Sequence, residues 1–69
     1  MNVEMVQVDS KPVEAVGFAA GELYVKFRGG RTYVYQAVPE RLHQQLMNAD
    51  SIGSFLNHEI KPYYACREL

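Results

Sequence analysis

The apolar residues of this chain change their spacing once, near Pro39. Before that point apolar and polar side chains alternate with a period of two, most regularly over residues 23–27 and 32–35. Beyond it, residues 42–49 and then 52–60 carry apolar side chains at the spacing of a helix. Alternation predicts strands that bury one face, and helical spacing predicts helices that bury one side. The sequence therefore places strands first and helices second, which is typical of an α+β fold.

Turn and cap signals divide the two halves into elements. Gly29-Gly30 is a hairpin signal between the two most regular strands, and Pro39 suits the first turn of a helix. Residues 48–51 interrupt the helical pattern and offer a cap for a second helix, which Pro62 ends. The predicted strands cover residues 3–8, 13–18, 23–27 and 32–35, and an additional edge strand over the tail, residues 63–69, is left open. We predict an α+β fold in which an antiparallel β-meander of three to four strands is followed by two short α-helices packed on one sheet face.

Length and charge exclude several classes of protein. The chain has 69 residues, 48% of them hydrophobic and 22% charged, with a formal net charge of −1. That length fits a single domain, residues 1–69, and this composition disfavours intrinsic disorder. No apolar run approaches the ~18 residues of a membrane span, so we expect no membrane partner. The balanced charge argues against a strongly electrostatic grip on DNA.

The thiol and imidazole groups give no sign of catalysis. Cys66 is the only cysteine, which excludes an intramolecular disulfide, and a lone thiol suits a reducing compartment. We therefore predict a cytoplasmic location and interpret Cys66 as inert. His43 and His58 lie on different predicted helices, and we expect both to be exposed rather than to bind metal or carry protons. The sequence predicts no catalytic residue, no metal and no cofactor, so we expect a protein that is not an enzyme.

The loop of the central hairpin decides on which face of the sheet the tyrosines lie, because directly opposed residues share a face. A two-residue loop collects a basic aromatic platform on one face, made of Tyr24, Lys26, Arg28, Arg31, Tyr33 and Tyr35. A three-residue loop, residues 28–30, shifts the pairing by one and moves Tyr33 and Tyr35 to the core face. The outward set is then Tyr24, Lys26, Thr32, Val34 and Gln36. We favour the three-residue loop because so short a chain needs its aromatic side chains in the core, while the other register stays open.

An ordered set of short motifs resembles the KTSC domain, a short domain found at the C-terminus of some lysyl-tRNA synthetases and alone in small bacterial proteins. The set runs from residue 8 to residue 64: Val8-Asp9-Ser10, Val16-Gly17-Phe18, Leu23-x-Val25-x-Phe27, Gly30, Tyr33-x-Tyr35, Val38-Pro39, Ser51-x-Gly53-x-Phe55-x-Asn57, Ile60, and Tyr63 or Tyr64. Phe18 stands where a tyrosine is frequent in the family. The resemblance implies a domain without an established activity, and the synthetase fusion implies RNA binding by association.

The hairpin supplies the first candidate binding residues. Aromatic rings that stack bases and cations that meet phosphates are typical of single-stranded nucleic-acid binding. The candidates are Tyr33, Tyr35, Lys26, Arg28 and Arg31. The alternative interpretation makes the tyrosines core residues and the cations ordinary solvated surface.

Ser51, Gly53 and Asn57 form a second candidate group, a polar notch at the start of the second helix. In a functional interpretation, the amide end that Ser51 caps holds a phosphate or the backbone of a partner. In a structural interpretation, which we favour, Ser51 is a helix cap and Asn57 locks the helix onto the sheet.

These observations predict a small non-catalytic binding module whose partner is RNA or single-stranded nucleic acid, bound through the aromatic and basic hairpin. The alternative is a protein–protein interaction or homo-oligomerising module that pairs through an exposed edge strand, such as residues 3–8. The sequence leaves the oligomeric state open.

Overall fold

A computed structural model describes residues 3–69 as one antiparallel sheet with two helices on one face. The elements are β1 (Val6–Gln7), β2 (Val13–Ala19), β3 (Glu22–Phe27), β4 (Thr32–Tyr35), α1 (Glu40–Met47), α2 (Ile52–Phe55), a π turn (Leu56–Ile60) and β5 (Cys66–Glu68). The predicted α+β meander is confirmed, with five strands rather than three to four because the tail adds β5 beside β4. No helix in this part of the chain has the length and apolar character that crossing a membrane requires.

The central hairpin has the three-residue loop favoured from the sequence. Val25 of β3 opposes Tyr33 of β4, and Leu23 opposes Tyr35. The two glycines of the loop adopt φ angles of 101° and 98°, a conformation that other residues rarely tolerate. Both tyrosines therefore lie on the core face, and the basic aromatic platform of the two-residue loop does not form.

The core lies between the sheet and the helices. Leu23 and Val25 are fully buried and belong to one apolar cluster with Leu46 of α1 and Leu56 of the π turn. These are the contacts that the two periodicities predict. The buried cluster comprises Val13, Val16, Leu23, Val25, Tyr35, Val38, Leu46, Ile52, Leu56 and Ile60.

The opposite face of the sheet is partly covered. Val34 points to this face, as the three-residue loop predicts, but it is fully buried. In the strand pairing it shares the face with Gly17. A Cβ atom on Gly17 would lie 2.9 Å from the carbonyl oxygen of Glu4, so residues 3–5 run across this face. The strand expected over residues 3–8 is reduced to β1 because its first residues cover the sheet instead of pairing at its edge.

The second helix begins at a serine cap and ends in a π turn. Its N-cap is Ser51, whose Oγ accepts a hydrogen bond from the Ser54 N–H at 3.2 Å, so the predicted cap is confirmed. After α2 the chain continues into the π turn, where the Lys61 N–H donates to the Leu56 carbonyl at 2.8 Å. The helix therefore extends to Ile60, as predicted, with a wider last turn than the apolar spacing indicates.

Gly53 lies buried against the ring of Pro12. A Cβ atom at residue 53 would stand 2.7 Å from the Pro12 Cγ. We expect Gly53→Ala to lower the free energy of unfolding by about 1 kcal/mol, because the clash outweighs the better helix propensity of alanine. In a Pro12→Ala background the same change should stabilise the protein, since the ring is gone. Urea denaturation of the four proteins checks this, and an equal effect of Gly53→Ala in both backgrounds would contradict the contact.

Candidate functional site

A groove opens at the hairpin end of the core, where the helices leave the sheet incompletely covered. Phe27 and Tyr33 face the helices, yet both are only half-buried there. The groove has a volume of about 530 Å³. Its lining residues are Phe27, Arg28, Gly29, Arg31, Tyr33, Tyr35, Lys61 and Cys66. We call this feature the aromatic groove.

Two aromatic rings and one ammonium group form the side of the aromatic groove nearest the helices. The rings of Phe27 and Tyr33 meet edge to face, with centroids 5.7 Å apart and planes at 75°. The Lys61 Nζ lies 5.4 Å from the centroid of the Phe27 ring, within the range of a cation–π contact. Lys61 reaches this position because it follows the π turn directly. The π turn therefore helps to bring a cation from the helical half of the chain onto the sheet.

The cations of the hairpin tip are held at the other side of the groove. The guanidinium of Arg28 donates from Nε and Nη2 to the Ser10 carbonyl, at 3.2 and 3.0 Å. The Arg31 Nε lies 3.9 Å from a carboxylate oxygen of Glu68, and both side chains are largely exposed, so this ion pair is weak. No aspartate or glutamate is among the lining residues. Glu68, which opposes Tyr33 across the strands, offsets Arg31 in part, and the three cations still leave the groove with an excess of positive charge on a protein of net charge −1.

The end of the aromatic groove farthest from the hairpin tip carries a phenol and a thiol. Tyr35 of β4 opposes Cys66 of β5, and Tyr35 is only 3% exposed whereas Cys66 is exposed. Burial, together with smaller effects of the neighbouring Cys66 and Tyr33 side chains, raises the pKa of the Tyr35 phenol to about 12. The phenol is therefore a neutral hydroxyl throughout the physiological pH range.

The structure brings together four of the five hairpin residues predicted to bind nucleic acid. Tyr33, Tyr35, Arg28 and Arg31 line the aromatic groove. Lys26 does not, because the three-residue loop turns it to the opposite face of the sheet. Its partner there is Glu14, whose carboxylate oxygen lies 3.4 Å from the Lys26 Nζ.

Four lining residues lie outside the predicted site: Gly29 of the hairpin loop, and the side chains of Phe27, Lys61 and Cys66. The alternation over residues 23–27 predicts a buried Phe27 and does not show that its ring stays half-exposed next to the hairpin tip. No signal in the sequence marks Lys61, because its position depends on the π turn. Cys66 was treated as incidental, and its place follows only from the pairing of β5 with β4.

The polar notch exists as an open depression between residues 9–12 and the start of α2. Its volume is about 490 Å³, and it includes Ser51, Gly53 and Asn57. Asp9 and Asp50 also line it, and these carboxylates disfavour a phosphate. Asn57 is exposed, so it does not lock the helix onto the sheet as expected. The cap at Ser51 is the part of the structural interpretation that holds.

The histidines occupy different environments. His58 is exposed, as predicted, and its Nδ1 lies 2.8 Å from the Ser54 carbonyl and 3.3 Å from the Ser54 Oγ. The shorter contact assigns the Nδ1 proton to the carbonyl, so this nitrogen is not a base for the Ser54 hydroxyl. The prediction that His43 is exposed is wrong. His43 is half-buried because its ring stacks on Phe18, with centroids 4.8 Å apart and planes at 7°.

Comparison with known proteins identifies the family. The KTSC domain model matches residues 9–64, which is most of the chain. The chain belongs to the KTSC domain family. This KTSC domain is 35% identical to a KTSC domain protein of Yersinia pestis whose crystal structure superimposes with a TM-score of 0.91, covering 99% of both chains.

Two relatives of similar length support the same assignment. A protein of Tsukamurella paurometabola is 39% identical over 62 residues, which cover 87% of this KTSC domain and 92% of that protein. An uncharacterized protein of Stutzerimonas stutzeri is 33% identical over 64 residues, with 90% of each chain covered. The family and the fold are therefore shown together.

Proposed function

We propose that this KTSC domain is a small non-catalytic module that binds single-stranded RNA, or single-stranded nucleic acid in general, in the aromatic groove. The observation that carries the proposal is the grouping of Arg28, Arg31 and Lys61 around Phe27 and Tyr33, with no acidic side chain in the lining. Single-strand binders combine cations that follow the phosphates with aromatic rings on which bases stack. A groove of about 530 Å³ has the size of a small-ligand site, so it accommodates a short stretch of strand.

The charge balance predicts weak, salt-sensitive binding. The three groove cations can meet about three phosphates, and each such contact to a single strand adds about 0.7 to the slope of log affinity against log salt. We therefore expect a slope near −2 and a loss of affinity of about 15-fold between roughly 50 and 200 mM salt. The exposed thiol of Cys66 in the lining suits a reducing compartment, and we place this function in the cytoplasm.

Neutralising the groove cations should weaken this binding strongly. The variant Arg28→Gln/Arg31→Gln/Lys61→Gln is expected to lose about tenfold or more in affinity and most of the salt slope, since it removes the three charges. The measurement is fluorescence anisotropy of a labelled single-stranded RNA of about 12 nucleotides at low and physiological salt.

The control replaces three cations that lie outside the groove, Lys11→Gln/Lys26→Gln/Arg41→Gln, and so changes the net charge by the same amount. We expect this variant to bind as the unmodified protein does, apart from a small general loss. Equal losses in both triple variants would mean that binding reflects net charge and not the groove. Undetectable binding at micromolar protein would refute the proposal.

One observation favours a second candidate function, a protein interaction or self-association module. β1 is a two-residue edge strand on which Val6 is 48% exposed. An exposed apolar edge can accept a strand from another chain. Light scattering on the protein used for the RNA titration separates the two functions, because self-association without RNA binding would favour this second one.

A further inference from the structure

We infer that the aromatic groove holds a nucleotide in one orientation, with the base toward Tyr35 and Cys66 and the phosphates toward the hairpin tip. This inference rests on the proposed function and adds the direction in which the base and the phosphates lie along the groove. It follows from the unequal chemistry of the two ends of the groove.

The aromatic groove runs along β4, from the hairpin tip toward Tyr35. Arg31 precedes β4, and Tyr33 and Tyr35 follow along that strand with side chains on the core face. A strand rises about 3.3 Å per residue, so Arg31 and Tyr35 are separated by about 13 Å along the sheet. The tip end of the groove carries Arg28 and Arg31, while its inner end carries Tyr35 and Cys66.

The two ends of the aromatic groove differ in charge. The tip end presents guanidinium groups, which bind phosphate with charge-assisted and bidentate hydrogen bonds. The inner end presents a neutral phenol and a thiol, which exchange hydrogen bonds with uncharged groups such as those on the edge of a base. A phosphate at the inner end would lose its hydration without meeting a cation, which is costly. The ligand that matches both ends has an anionic group separated from a planar, uncharged group with polar edges.

Of the three aromatic rings in the groove, that of Tyr33 is the one on which a base can stack. Phe27 is covered by the Lys61 ammonium on one face and is met edge to face by Tyr33. Tyr35 is almost completely buried and so offers little ring surface. Tyr33 is half-buried between the cations and the phenol–thiol end, so its ring is the stacking surface. In a duplex, the polar edge of each base is hydrogen-bonded to its partner base and both faces are stacked on neighbouring bases. A duplex therefore cannot place a base on Tyr33.

The experiment compares four probes on the unmodified protein by anisotropy: a labelled single strand, the same strand with abasic sites, its duplex, and inorganic phosphate as a competitor. We expect the intact strand to bind about tenfold more tightly than the abasic strand and the duplex, because stacking of one base has that effect. We expect Tyr33→Leu to remove this difference and Tyr33→Phe to retain it. Thermal unfolding of both variants shows whether they remain folded, and the comparison on the unmodified protein does not depend on them.

Failure of this inference is distinguishable from failure of the proposed function. Equal affinity for intact and abasic strands, still lost in the triple variant of the groove cations, would overturn the orientation and leave nucleic-acid binding in place. Absence of binding to every strand would overturn both. Amide chemical shifts give a second readout: inorganic phosphate should perturb Gly29 and Arg31, and a nucleoside monophosphate should perturb Cys66 as well. Perturbation of Cys66 by phosphate alone would reverse the inferred direction.

Discussion

Replacing Leu23 by alanine is expected to remove about half of the free energy of unfolding of this protein. Leu23 is fully buried at the centre of the cluster that joins the sheet to both helices. Truncation of a buried leucine to alanine costs about 2–5 kcal/mol, because it removes apolar burial and leaves a cavity. At about 0.05–0.15 kcal/mol per residue, a chain of 69 residues has a total stability of about 3–10 kcal/mol. Urea denaturation followed by circular dichroism measures the loss.

Leu69 provides the matched control for Leu23. It is the same residue type but 63% exposed, and its ordered contact is a backbone hydrogen bond from its N–H to the Thr32 carbonyl. Leu69→Ala should change the free energy of unfolding by less than about 0.5 kcal/mol, as surface substitutions usually do. Similar losses in the free energy of unfolding for the two leucine variants would contradict a core between the sheet and the helices, and with it the position of the aromatic groove.

Alkaline pH is expected to destabilise the protein through Tyr35. The folded protein holds the pKa of this phenol at about 12, above the ordinary value of 10.0, because the side chain is buried. A group whose pKa is raised on folding stabilises the fold fully below its unfolded pKa and loses that contribution as the pH rises. The loss begins near pH 10 and continues through pH 12, and a pKa difference of this size corresponds to about 3 kcal/mol. Urea denaturation at about pH 8 and about pH 11 reveals it.

Tyr35→Phe isolates this contribution from the other groups that titrate at alkaline pH. Phenylalanine keeps the ring volume in the core, and lysines and the remaining tyrosines are common to both proteins. We expect the variant to match the unmodified protein near pH 8 and to exceed its free energy of unfolding by about 1.4 kcal/mol near pH 11, where about half of the total loss has developed. A parallel decline in both proteins would show that Tyr35 ionises without a cost to the fold.

The fold could be predicted from the sequence because local signals agree with one another. Alternation over residues 23–27, a glycine pair in the hairpin and helical spacing after Pro39 each indicate the element that forms. The favoured register followed from the need to bury aromatic side chains in a short chain. The N-terminal cover over Gly17 was not predictable in this way, because a strand pattern does not show whether a segment pairs at the edge or crosses the face.

The candidate site was only partly predictable, because its lining comes from three distant parts of the chain. The favoured register already placed Lys26 on the face opposite Tyr33, so grouping the two in one binding site conflicted with it. Lys61 lies in the groove directly after the π turn. A π turn of five residues is too short to show a spacing of apolar residues that differs from that of an α-helix. Cys66 depends on a strand of three residues that carries no alternation signal.

The strict chain order of the sheet bears on how quickly the protein reaches its native state. Every strand pairs with the strand next to it in sequence, and only the connection from β4 to β5 is long, because it contains the helices. Neighbouring hairpins close short loops, and proteins rich in such local pairings fold faster than those that join remote segments. The part of the groove that Cys66 lines forms only when β5 pairs with β4 across the long helical connection. We therefore expect the aromatic groove to be completed last, after the hairpins that carry its tyrosines and arginines have formed.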